Sequence, residues 1–249
     1  MQLVLFAAFL AAAPLDASHA AVLDALMRFD TSGCDEAQTR SAARSATIRR
    51  LGRTHGDELI LADIQQPCFC GAHNCPYVGI RLTRGRAREL FTAYGFAARL
   101  VADPSGMPSV VVTGHDSALV MDETTYGYRG GTYAQTAAFR VRGDDGSRKP
   151  DHADVRFAPG ASAATLHGTV AAGWYDVYRF GASRGQRLTV SGIRSAQPLT
   201  FFAYGTDLSQ IIRVRAGVPV ALPVSGAYSL HVDTEAGESV PYTLTLTIR

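Results

Sequence analysis

Beyond its first residues the sequence lacks any apolar run approaching the ~20 residues that a membrane-spanning helix needs. That excludes a helical membrane protein of ordinary type. Lysine is nearly absent: of 24 basic residues only Lys149 is lysine. The formal net charge is only +2 over 249 residues. So weak a bias excludes a nucleic-acid binder that works through a basic face. There is no H-E-x-x-H pair and no phosphate-cradling glycine loop, which excludes two common catalytic designs. Charged residues make up 18% and hydrophobic residues 47%, so a packed core is expected and disorder is not.

The one apolar run that is present, Leu3 to Ala13, has 11 residues. That length suits the core of a secretory signal, and Ser18-His19-Ala20 offers small residues for cleavage after Ala20. Residues 1–20 are therefore expected to be a signal peptide, and the protein to be periplasmic or secreted. Four cysteines remain, Cys34, Cys68, Cys70 and Cys75. An even count in an exported chain reads as two disulfides. The favoured pairing is Cys70–Cys75 with Cys34–Cys68; Cys68–Cys75 with Cys34–Cys70 is the close alternative. Cys68, Cys70, His73 and Cys75 are also four soft ligands in eight residues, a rival zinc pattern. Its C-x-C-x₂-H-x-C spacing does not match the usual paired ligands, and oxidation would remove the thiolates. No metal and no cofactor are expected.

Two domains are expected. Val22, Ala25, Leu26 and Phe29 follow a helical period, and a second helix is predicted from Asp35 to about Arg50. Ser32-Gly33-Cys34-Asp35 is read as its capping box. Strand patterns follow from Glu58 to Arg140, including a hairpin turning at Gly130-Gly131. Residues 21–149 are thus predicted as an α+β domain, with one or two helices on a mostly antiparallel sheet. Residues 150–160, rich in charge and turn formers, are predicted as a linker. Residues 161–249 show strict alternation. Tyr242, Leu244, Leu246 and Ile248 share one face; so do Tyr228, Leu230 and Val232. Several short strands of this kind predict an all-β antiparallel sandwich.

Catalytic candidates are few. His115-Asp116-Ser117 has the residue types of a triad, but neighbours on a strand face opposite ways. They read as a polar turn. Asp122-Glu123 reads as a solvated acidic pair, and His231 as lying on the exposed face of its strand. Tyr126, Tyr128 and Tyr133 crowd the glycine hairpin, as a cross-strand cluster or as a platform for sugar or peptide.

Residues 166–249 carry Gly168-Thr169-Val170, YDVYRF, GQRLTV, LPVSGAY and the closing YTLTLTI. In these motifs the region resembles the periplasmic inhibitors of goose-type lysozyme and, more loosely, bacterial pre-peptidase C-terminal domains. The resemblance implies a non-enzymatic protein whose partner is a goose-type lysozyme or another cell-wall muramidase. It implies that Ser225, Gly226 and Tyr228 lie on a loop entering the enzyme's cleft. Ser225 would bond the catalytic carboxylates, Gly226 would allow the turn, and Tyr228 would support the loop or touch the enzyme. The earlier residues, with CGAHNCPY and YRGGTY, resemble exported bacterial proteins of uncharacterised role. The alternatives are a secreted enzyme using His73, His115 and Asp116 with the sandwich as accessory domain, and an envelope module binding carbohydrate or protein.

Overall fold

The computed structural model describes residues 15–28, 33–71, 73–84, 86–171, 173–205 and 211–249. Most of the expected signal segment, Phe29 and Ser32 lie outside the described residues. Among the described residues the fold is mostly antiparallel β with two helices. It divides into two compact units, residues 1–117 with 121–138, and residues 118–120 with 139–249.

In the first unit, α1 (Ala17–Leu26) opens on Asp16, whose carboxylate accepts from the His19 N–H. The expected cleavage point after Ala20 therefore falls inside a helix. α2 (Glu36–Ser45) is capped three residues later than the sequence pattern suggested. Asp35 accepts from the Gln38 N–H while the Gln38 amide oxygen takes the Asp35 N–H. The predicted helix also runs too far. Ala46 leaves the helical region, and Thr47–Thr54 form β1. β-Branched Thr47 and Ile48 favour that change.

β1 pairs in order with β2 (Asp57–Asp63), β3 (Cys75–Thr83) and β4 (Arg86–Gly95). β2 shows why two layers form on this sheet: Leu59, Ile60, Leu61 and Ala62 are all fully buried. Ile60 and Ala62 meet Val22, Leu26 and Ala42 of the helices. Leu59 and Leu61 join Tyr77, Phe91 and Val110 on the other face. Val110 belongs to β6 (Ser109–His115), flanked by β5 (Ala97–Val101) and β7 (Val120–Arg129); β7 turns at Gly130-Gly131 into β8 (Thr132–Arg142).

The second unit begins within β8. Residues 150–160 are not a bare linker. Pro150 closes β9 (Arg148–Pro150), which pairs with the end of β8. Ala153–Asp154 form β10, paired in parallel with β12 (Tyr175–Ala182). The division into units falls at 138/139, upstream of that stretch.

Two sheets make the rest. One runs β10–β12–β17–β14–β15, with β14 (Thr200–Gly205), β15 (Ile211–Val214) and β17 (Gly226–Asp233). The other runs β11–β18–β13–β16, with β11 (Ala163–Val170), β13 (Arg187–Ser195), β16 (Val220–Ala221) and β18 (Val240–Ile248). Their inner rows share one core. Tyr228, Leu230 and Val232 of the first sheet pack with Tyr242, Leu244, Leu246 and Ile248 of the second. This is a sandwich arrangement, built by period-two burial.

At one end of the core two phenols meet. Tyr242 Oη donates to Asp176 Oδ2 at 2.8 Å and lies 2.8 Å from Tyr178 Oη, which is 3.1 Å from the His167 carbonyl. Lys149 Nζ closes the network on Asp176 Oδ1 at 3.2 Å and on the Thr169 carbonyl at 2.8 Å. Gly168 is required beside it. A Cβ there would lie 2.4 Å from Tyr242 Oη and 2.6 Å from Asp176 Oδ2. Gly168→Ala is expected to cost about 1–3 kcal/mol by overpacking, read as a lower urea midpoint at unchanged m-value. A wild-type midpoint would show the two sheets yielding freely at this end.

Candidate functional site

The loop 222–226 leads into β17. Tyr228, the third residue of β17, is 1% exposed and stacks with Phe180 at 5.9 Å. Its hydroxyl donates to the Val224 carbonyl at 2.8 Å and accepts from the Val224 N–H at 3.2 Å. Both polar functions of the phenol are spent on the loop that precedes it. Tyr228 thus braces the loop and offers no surface of its own. Gly226 has φ +152°, a backbone that side-chain-bearing residues rarely adopt.

Ser225 is exposed, and its Oγ accepts the Arg184 N–H at 2.9 Å. Arg184 lies in the turn between β12 and β13, which reaches the same end of the sheet because Ala182 pairs with Gly226. A hydroxyl has two acceptor sites and one donor. The described contacts use one acceptor site and leave the O–H to donate. Arg184 and Val224 are also exposed, Val224 at 40%. The tip therefore presents a positioned hydroxyl, a guanidinium-bearing residue and an apolar side chain. Arg184 escaped the sequence reading because its tie to Ser225 spans 41 positions.

Gly181-Ala182-Ser183-Arg184-Gly185 also spell G-x-S-x-G. A nucleophile elbow needs a strand turning into a helix. Here β12 turns into β13, Ser183 N–H donates to Gln186 Oε1, and Gln186 N–H donates to the Ser183 carbonyl. The motif is a strand-to-strand turn.

The cysteines pair as Cys34–Cys68 and Cys70–Cys75. With the sulfurs oxidised, the zinc pattern has no thiolate to offer. Asn74, inside the second loop, ties that loop to β6: its amide donates to the His115 carbonyl at 2.9 Å and accepts from the His115 N–H at 2.8 Å. This brings the His73 and His115 rings to 5.5 Å. No group of three or more potential metal ligands occurs among the described residues. The hairpin tyrosines turn inward. Tyr126 stacks on Phe91 at 4.3 Å, and buried Tyr133 donates to the Pro108 carbonyl at 2.7 Å. Tyr128 meets Tyr133 edge-on at 5.3 Å. They pack as core and form no flat platform.

His231 is placed on the outer face of its strand, as the alternation predicts, but it is not open to solvent as expected. Its ring stacks with Tyr175 at 4.9 Å and meets Tyr204 at 4.3 Å. Burial pushes the imidazole down to about 4, and the Arg140 guanidinium adds to the shift. An unfolded histidine titrates near 6.5. Between those values the unfolded chain binds a proton that the folded chain refuses. Stability is therefore lost as pH falls from about 6.5 to about 4. His231→Phe is expected to lose less stability than the wild type over that window, by roughly 2–3 kcal/mol at most. Parallel urea titrations at both ends of the window give the difference; identical slopes would contradict it.

No family model and no curated protein matches the chain. Among solved structures it is similar to the Salmonella Typhimurium PliG, a periplasmic inhibitor of g-type lysozyme. That match has 23% identity and a TM-score of 0.36, and covers 41% of this chain and 100% of that one. The Aeromonas hydrophila PliG matches at 27% identity and TM-score 0.33, over 39% of this chain and 96% of that one. The pre-peptidase C-terminal domain of a Bacillus anthracis collagenase matches at 16% and 0.31, over 41% and 99%. No described helix is long and apolar enough to cross a membrane.

Proposed function

We propose that this chain is an exported, non-enzymatic binding protein. Its 222–226 loop would inhibit a lysozyme of the goose type by entering the substrate cleft. The observation that carries the reading is Ser225, an exposed hydroxyl held by the Arg184 N–H with its own O–H left to donate. The partner class is the one implied by the resemblance of the Ser225-Gly226-Ala227-Tyr228 stretch to the inhibitors of goose-type lysozyme. Glycoside hydrolases generally set carboxyl groups astride the scissile bond. A donor hydroxyl beside an arginine is a fitting reader for such a group.

The support beneath the loop fits a blocking role. Tyr228 grips Val224 through both of its polar functions. A pre-ordered loop loses little entropy on docking. Asp233 lies at the far end of β17, paired with Tyr175, while Gly226 pairs with Ala182 at the near end. The acidic residues that follow Asp233 are thus at the end of β17 away from the tip. Two disulfides suit an oxidising compartment. Inhibition needs no chemistry from the inhibitor, only occupancy.

Purified protein is expected to inhibit a goose-type lysozyme at sub-micromolar dose in a cell-wall lysis assay. A hydrogen bond to a charged group contributes about 1.5–3 kcal/mol, so Ser225→Ala should weaken inhibition roughly tenfold to a hundredfold. Arg184→Ala should weaken it as well, while the unfolding midpoint of each variant stays near wild type. Failure to inhibit any class of lysozyme would end the proposal.

A further inference from the structure

A second site lies at the opposite end of β12, independent of the inhibitory reading. A cleft of about 380 Å³ opens there, within the ~300–1,000 Å³ range of small-molecule sites. Arg140, Lys149, His152 and His167 line it together with apolar Ala153 and Val177. Asp176 is the one carboxylate among the lining residues, and Lys149 bonds it.

That carboxylate is already committed to Lys149 and Tyr242. The acids just outside are committed too: Asp151 holds His152 at 2.7 Å, and Asp154 holds Arg179 at 3.0 Å. Arg140 pairs with none of them. It is 3% exposed, yet its contacts are neutral: the Tyr175 carbonyl on Nη1, the Pro150 carbonyl at 3.5 Å on Nη2, and the faces of Tyr175 and Trp174 at 4.5 and 6.0 Å. Its Nε is buried with no hydrogen-bond partner. A buried guanidinium without a counter-charge is costly, and a buried orphan donor adds to that cost.

The orphan Nε–H and Nη2 together form the side-on edge of the guanidinium. Two parallel N–H groups on that edge match the two coplanar oxygens of a carboxylate. Nη2 is held only by a bond at the limit of hydrogen-bonding distance, from a strand of three residues. A ligand oxygen could take the place of the Pro150 carbonyl on Nη2. The apolar walls favour a ligand with a carbon skeleton; on them a free phosphate would leave oxygens unsolvated.

We propose that this cleft binds a small carboxylate-bearing molecule on the Nε–Nη2 edge of Arg140, with Lys149 and His152 as supporting polar groups.

The full chain, labelled with ¹⁵N at arginine, is titrated with glucuronate, acetate and inorganic phosphate while the Arg140 Nε–H signal is followed. Saturable binding of glucuronate, at least tenfold tighter than phosphate, is the result expected. Arg140→Lys keeps the charge and removes the edge, and should weaken glucuronate tenfold or more, read by thermal shift. His152→Ala should weaken it severalfold. Ser225→Ala should leave it unchanged, which separates this site from the inhibitory loop. No saturable shift with either carboxylate, equal or tighter binding of phosphate, or unweakened binding by Arg140→Lys would each overturn the proposal.

Discussion

Side chains on a strand alternate between two faces, and on β17 that rule binds three core residues at once. Tyr228, Leu230 and Val232 are inward and buried to within 1%. A shift of one residue would turn all three to solvent and bring Ser229 and His231 into the core. The register of β17 is therefore fixed, and with it the point where the alternation stops. Ser225 lies just before that point. It is outside the core because the rows behind it are full, and its direction is set by the neighbouring turn through Arg184. The candidate contact surface is thus a by-product of core packing.

The same rule explains what could be read from the sequence. Strands with one apolar face were legible: Tyr242 to Ile248 and Tyr228 to Val232 face as their letters suggest. β1 was not, because T-I-R-R-L-G-R-T has no clean alternation and continues a pattern that began as helix. Its strand state comes from pairing with β2, a neighbour that a local window does not contain. The short strands near Pro150 were hidden for a related reason. β9 and β10 have three and two residues, too short to show a period, and exist through their partners β8 and β12.

Polar contacts were the least legible. Tyr178 and Tyr242 are 64 positions apart, Arg140 and Tyr175 are 35 apart, and Asn74 reaches His115 across 41. Each residue, taken alone, has a bland reading as a strand aromatic or a loop amide. The 222–226 loop was partly legible, since glycine and serine mark a turn. The division of labour within it was not. Alternation puts Tyr228 in one row with Leu230 and Val232, but the bond from the Arg184 N–H to Ser225 could not be inferred from spacing.

The two ends of the sandwich differ in how their polar groups are satisfied, and the difference separates rigidity from binding. At the loop end, the phenol of Tyr228 is satisfied by its own chain four residues away. Such a contact survives whether or not a partner is present, so it can hold a surface ready at all times. At the far end, the Tyr242–Asp176–Lys149 chain links three separate strands and is satisfied throughout. Arg140 lies beside that network and remains outside it, with neutral carbonyls and ring faces in place of a carboxylate. A fold that needed Arg140 only for packing would tolerate a neutral residue of similar shape, and would avoid burying a charge. The charge therefore argues for a counter-ion that the described residues do not supply.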